Sequence, residues 1–208
     1  MIEDLERVVR SVVASYLGQS RTIPVGVSNR HVHLSVQAKE ALFGPGYQNV
    51  IMKELSQPGQ FAMKETVTLV GPKGIIEGVR ILGPERAETQ VELMAGDTYK
   101  LGIPMVIRDS GDIENTPGLA LVGPAGVVRL ERGVIVAKRH VHASPSEAKE
   151  LGIEDGQRIG LATSGARALE FREVLVRVNP DYRLEFHIDI EEANAAQLKN
   201  GDLVYLSE

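Results

Sequence analysis

One hexapeptide, Arg-His-Val-His-x-Ser, occurs twice in this chain, at Arg30–Ser35 and at Arg139–Ser144. Side chains alternate across a β-strand, so His31 and His33 project from one face while Val32 turns to the other; His140, Val141 and His142 repeat the arrangement. Each copy therefore predicts a strand bearing a two-pronged imidazole claw. The fifth and last histidine, His187, sits in the stretch Arg183–Ile190, where Leu184, Phe186, Ile188 and Ile190 form an apolar face and Glu185, His187 and Asp189 the opposite one. A chain that places every histidine on short strand-like stretches is read as a metal binder, because neutral imidazole is the commonest protein ligand for zinc and its neighbours. Carboxylates are the natural source of any missing ligand.

A single His-x-His on a strand is often a structural or solvated pair; two copies and a third strand histidine shift the reading to a ligand set. A cupin also uses His-x-His followed by an acid, but no acid follows His33 at the spacing a cupin needs. Glu147, which follows His142, reads instead as part of a helix start, with Ser144 as N-cap, Pro145 as the first helical residue and Glu147 reaching back.

The 208 residues, 43% hydrophobic, suffice for one large core or two small ones. Aromatic residues make up only 4% and tryptophan is absent, which argues against a base-stacking nucleic-acid surface. A formal charge of −5, from 23 basic and 28 acidic residues, argues equally against coating a polyanion. With no cysteine there is no disulfide framework, no thiol nucleophile and no thiolate ligand, and an intracellular location is expected. No stretch approaches the ~18 apolar residues of a membrane span, and the N-terminus lacks a signal peptide's apolar core.

Residues Met1–Gln19 read as an amphipathic helix, with Leu5, Val8, Val9, Val12, Val13 and Tyr16 at helical spacing. This helix either packs on the body or serves as a detachable handle for a partner groove. From Ile23 onward the pattern is short strands between glycine and proline turns, the signature of barrels. Val67–Gly74 and Leu119–Gly126 run into the same Gly-Pro-x-Gly turn, and Gly78–Pro84 reads as a third relative. Short helices are predicted at Ser35–Phe43, Ser144–Leu151 and Glu191–Leu198. The fold class is thus mainly β, two small barrels capped by short helices, with an N-terminal amphipathic helix.

One further segment looks chemical. If Gly83–Leu93 is extended throughout, Arg86, Glu88, Gln90 and Glu92 share one face. That face is either a solvated strand surface or a site in which Glu92 or Glu88 completes a metal centre and Arg86 grips an oxyanion such as phosphate. Glu185 and Asp189, flanking His187, are candidates for orienting an imidazole or are ordinary surface acids.

The segments Pro24–Ser35, Gln57–Gln60, Thr66–Gly74, Leu82–Pro84, Thr116–Gly118, Gly133–His142 and Leu184–Asp189 together closely resemble the phosphotransacylases of the PduL type, the phosphate propanoyltransferases. The resemblance covers nearly the whole chain in the same order. It implies residues 20–29 with 138–208 as a first β-barrel, and 30–137 as a second with an inserted segment near 44–64. It further implies a dinuclear zinc site, with His31, His33 and Glu92 on one zinc, His140, His142 and His187 on the other, and Arg86 on phosphate. The implied reaction is acyl-CoA, propanoyl-CoA or acetyl-CoA, plus phosphate giving acyl phosphate plus coenzyme A. The resemblance also implies a homodimer and, because such enzymes often carry an N-terminal segment that enters a bacterial microcompartment, shell or core proteins of the compartment as partners of the N-terminal helix and its lumen or the cytoplasm as the expected location. Without cysteine, direct attack of phosphate on the thioester is expected. A two-metal hydrolase and a non-catalytic, metal-stabilised binding module are the alternatives.

Overall fold

The computed structural model describes residues 21–207; the helix predicted over Met1–Gln19 lies outside the described residues. The protein is mainly β, and the chain divides into two compact units. One comprises Ser28–Lys138 with Asp189–Glu191; among the described residues the other comprises 21–27, Arg139–Ile188 and 192–207. No helix among the described residues is long and apolar enough to cross a membrane.

The second of these units is built on a closed barrel. Its strands are β1 (Thr22–Ser28), β11 (His140–Ala143), β12 (Arg158–Ala162), β13 (Glu170–Val178), β14 (Glu185–Asp189) and β15 (Leu203–Leu206), in the order β1-β14-β11-β13-β12-β15. Ile23, Val25, Val141, Leu161, Val176, Phe186 and Ile188 fill the interior. Strand alternation then does the sorting: Val141 and Phe186 are fully buried in the core, which puts His140, His142 and His187 on the other face. Helix α3 (Pro145–Leu151) begins as its sequence predicts. Ser144 caps it, Pro145 opens it, and the Glu147 carboxylate accepts from the Ser144 backbone N–H at 2.8 Å.

The unit spanning Ser28–Lys138 is a nine-stranded sheet that curls as a half-barrel. It contains β2 (His31–Ser35), β3 (Ile51–Glu54), β4 (Phe61–Val70), β5 (Ile75–Arg86), β6 (Gln90–Leu93), β7 (Ile107–Arg108), β8 (Ala120–Val122), β9 (Val127–Arg129) and β10 (Val134–Ala137). The order is β7-β10-β6-β2-β5-β4-β8-β9, with β3 added on β4. Val32, Leu34, Leu42, Leu69, Ile81 and Leu121 pack in its core.

The two Leu-Val-Gly-Pro-x-Gly segments share one structural task. Gly71–Gly74 turns β4 into β5 and Gly123–Gly126 turns β8 into β9, each closed by a backbone bond of 2.9 Å between its glycines. Each turn also caps a helix. The Ala125 N–H donates to the Leu42 carbonyl near the end of α1 (Val36–Phe43) at 2.9 Å, and the Lys73 N–H donates to the Leu101 carbonyl at the end of α2 (Ala95–Leu101) at 3.0 Å. Glycine is required by proximity: a Cβ on Gly123 would lie 2.5 Å from the Leu42 oxygen.

One expectation fails in this unit and one condition is not met. Gly78–Pro84 is no third turn, because β5 runs on to Arg86 and keeps pairing with β4 through Gly83. Gly83–Leu93 is not extended throughout, because residues 87–89 bend between β5 and β6.

Candidate metal centres

Strand β2 lies between β5 and β6, and the antiparallel register with β6 sets His31 opposite Glu92 and His33 opposite Gln90. Both imidazoles are buried, and donor atoms of His31, His33 and Glu92 all fall within 4.8 Å of one another. The Nδ1 of His31 lies 2.8 Å from the Asn29 carbonyl oxygen, so it carries the proton and donates. Its Nε2 then faces the Glu92 carboxylate at 3.5 Å, and His33 Nε2 stands 3.9 Å from the same group. Burial alone would raise the Glu92 carboxyl, but His31, His33 and Arg86 outweigh it and hold that carboxyl well below the usual range. For His31 burial works against the charge, and Glu92 overcomes it, so the imidazole is raised. Burial, with His31 and Arg86 beside it, drives His33 down to about 3.

The second hexapeptide repeats the register on β11 and β14. His140 stands opposite His187, and His142 opposite Glu185. In both copies the first histidine therefore faces the third donor, and the second faces the residue two positions before that donor. The donor atoms of His140, His142 and His187 also lie within 4.8 Å of one another. Burial first, then His140 and Arg177, push His142 down to about 3. Both ring nitrogens of His142 are buried without a hydrogen-bond partner. Buried polar atoms are normally satisfied, so an orphaned imidazole aimed into a cluster of imidazoles fits a bound cation. The donor sets, three nitrogens or two nitrogens and one oxygen, are those of zinc sites that keep a fourth position open. Glu185 brings its Oε2 to 3.1 Å from His187 Nε2, an ion-pair distance without hydrogen-bond geometry. Gly26 makes room for it, since a Cβ there would come 2.6 Å from the Glu185 carboxyl carbon. Asp189 ends β14, half-buried.

The remaining motif residues position helices. Ser35 caps α1 by accepting from the Ala38 N–H at 3.1 Å, as Ser144 caps α3. Arg30 donates to Asp97 in the first turn of α2 at 2.8 Å, and Arg139 pairs at 3.0 Å with Glu192 in the first turn of α4 (Ile190–Ala196). Arginine, two histidines, valine and serine thus each have one task, and both copies assign the tasks alike.

Arg86 ends β5 beside the first triad. Its Nη2 stands 2.8 Å from His33 Nε2, and its Nη1 donates to the Ser110 hydroxyl at 3.3 Å. That hydroxyl donates in turn to Glu92 at 2.8 Å. The Gln90 amide donates to the same carboxylate oxygen at 2.6 Å, and its own oxygen accepts from the Gly111 N–H at 2.9 Å. Of the two acids proposed for this centre, Glu92 is the one present. Glu88 is exposed in the bend, paired with Arg132 at 3.1 Å.

The sequence profile of phosphate propanoyltransferases matches residues 24–199, a span that holds both hexapeptides, Arg86, Glu92 and His187. The chain belongs to the phosphate propanoyltransferase family. It is an acyltransferase. A phosphate propanoyltransferase of Thermotoga maritima is 56% identical over 187 residues, covering 89% of each chain. That of Salmonella typhimurium is 49% identical, covering 95% of this chain and 93% of its own, and that of Rhodopseudomonas palustris is 46% identical, covering 97% and 96%.

Ser110, Gly26 and Tyr182 join these centres without having been marked in the sequence. Ser110 lies in the loop after β7, and only tertiary folding brings it to Glu92, 18 residues away. Tyr182 stacks on His142 with ring centroids 4.0 Å apart. Its one sequence signal is the Asn179-Pro-Asp-Tyr182 turn.

Proposed function

We propose that this family member moves a short acyl group, propanoyl or acetyl, between coenzyme A and phosphate, with two zinc ions per chain. His31, His33 and Glu92 would hold one, and His140, His142 and His187 the other. The observation that carries the reading is the Arg86 guanidinium beside a buried two-histidine, one-carboxylate triad: a fork for an oxyanion at the edge of a cation site. When bound, zinc supplies Lewis acidity toward phosphate or carbonyl oxygen and a soft partner for sulfur.

The chain's own residues do the positioning. Arg86 would grip phosphate oxygens with N–H donors left over from its contacts to His33 and Ser110, which hold the guanidinium in place. Gln90 and Ser110 hold the Glu92 carboxylate, and Glu185 orients His187. The phosphate oxygen places its lone pair on the thioester carbonyl carbon, forming the C–O bond. The C–S pair leaves with sulfur, and the proton of hydrogen phosphate ends on the released thiol. With no cysteine in the chain, no thioester-linked acyl-enzyme intervenes, and both substrates are bound together.

Thiol release from propanoyl-CoA, with and without phosphate, tests the reading. Transfer requires phosphate; a two-metal hydrolase releases thiol without it, and a metal-stabilised module releases none. Elemental analysis should find two zinc ions per chain. Full activity after complete chelation would overturn the zinc assignment. Residues Met1–Gln19 are proposed as a handle for packaging into a bacterial microcompartment: their deletion should leave turnover unchanged and abolish packaging, and a deletion protein that still packages would refute this.

A further inference from the structure

A metal-bound histidine ordinarily donates its second ring N–H to a carboxylate, carbonyl or water, and that bond fixes the ring. His31 follows this rule through the Asn29 carbonyl. His142 does not: neither nitrogen has a hydrogen-bond partner, so once one nitrogen ligates, no hydrogen bond sets the angle of the ring. What holds the ring is an aromatic face. Tyr182 lies against it at 4.0 Å between centroids with 22° between planes, closer and flatter than the contacts of His142 with His140 and His187, at 4.7 Å and 55° and at 4.6 Å and 59°.

The position of Tyr182 is itself tied to the strand that carries His142. Asn179 opens a turn in which its carbonyl accepts from the Tyr182 N–H at 3.0 Å and its side-chain oxygen accepts from the Asp181 N–H at 2.9 Å. The Asn179 N–H donates to the carbonyl of Ala143, the neighbour of His142, at 3.1 Å. A short rigid turn, anchored one residue from the ligand, thus delivers a flat ring onto the imidazole.

We propose that Tyr182 is the positioning residue of the three-histidine centre, setting the His142 ring for metal by stacking rather than by a hydrogen bond. The inference rests on the metal reading above. It assigns the work to the ring of Tyr182 and none to its hydroxyl.

The test compares the full-length wild type with Tyr182→Phe and Tyr182→Leu, each loaded with zinc and then titrated against a chromophoric chelator. A second set is loaded with cobalt(II) for its visible d–d spectrum. Tyr182→Phe should keep both zinc equivalents within about twofold and an unchanged cobalt spectrum. Tyr182→Leu should weaken one equivalent by ~10–100-fold, the size expected for loss of a group that orients a ligand. It should also alter the cobalt bands while leaving the other equivalent in place. Melting of the metal-free proteins shows whether Tyr182→Leu is folded; if it is not, the Tyr182→Phe spectrum decides. Unchanged zinc affinity in folded Tyr182→Leu, or a loss in Tyr182→Phe, overturns the proposal. Wild-type protein that binds no zinc overturns the metal reading itself.

Discussion

The guanidinium of Arg86 stands 2.8 Å from Nε2 of His33. A guanidinium has donors and no lone pair and stays charged, so this imidazole nitrogen must be an acceptor and the ring neutral. The downward displacement of His33 to about 3 has the same cause in part, since Arg86 adds to burial and His31.

The fork geometry of Arg86 makes the first prediction. Arg86→Lys keeps the charge and loses the paired donors, so the KM for phosphate should rise by ~10-fold or more, the worth of one or two charge-assisted hydrogen bonds. The KM for acyl-CoA should move little. Steady-state kinetics with each substrate varied decides, and a change confined to acyl-CoA would remove Arg86 from the phosphate site.

A second prediction concerns Gln90, which donates to the Glu92 carboxylate at 2.6 Å. Gln90→Glu sets two carboxylates against each other and should weaken one metal equivalent by ~10–100-fold, with turnover falling alongside. Zinc titration of the variant checks this; unaltered affinity would show that Glu92 needs no support from Gln90.

The metal-free protein should be most stable near pH 6.5. Below that value the unfolded chain protonates His33 and His142, whose folded counterparts stay neutral down to about 3, so stability falls with falling pH. Above 6.5, folded His31 still holds a proton that the unfolded chain has lost, so stability also falls as pH rises through its elevated value. Urea titrations of chelated protein from about pH 4.5 to 8.5 would contradict this if stability were flat or still rising on the acid side.

Gly123→Ala should destabilise the fold by roughly 1–3 kcal/mol, the range for forcing extra volume into a packed position, because its Cβ would meet the Leu42 carbonyl at 2.5 Å. Turnover per folded molecule should be unchanged, as neither this turn nor α1 carries a proposed metal ligand. Chemical denaturation measures the loss; a neutral substitution would mean that the turn can move off the helix end.

Helices and claws were legible in the sequence where a local rule writes them. Ser35 and Ser144 announce α1 and α3 as caps, and the His-Val-His alternation gives β2 and β11 their two faces. Helix α2 was invisible because Gly96 weakens it and Met94, at its cap, makes no side-chain bond; its one local sign is Asp97 accepting from the Met94 N–H at 3.2 Å. The bend at 87–89 was missed for a related reason: the segment alternates acceptably as a strand, and only the pairing of β6 with β2 shows that the chain has changed direction. Ser110 and Tyr182 reach the centres through loops whose ends are fixed by bonds to distant backbone, which no spacing encodes.

Strand β1 belongs to the barrel completed by β15, with Ile23 paired to Val204 and Thr22 to Tyr205. The intervening unit, by contrast, is nearly continuous in sequence from Ser28 to Lys138. During synthesis that unit can reach its native pairing well before Leu203–Leu206 are made, whereas the barrel must wait, its first strand unpaired at that seam, until β15 emerges. A ribosome that stalls before Leu203 therefore releases a chain with its His31 centre encoded whole and its barrel open along the β1 edge, a template for pairing with other chains and a ready signal for quality-control proteases.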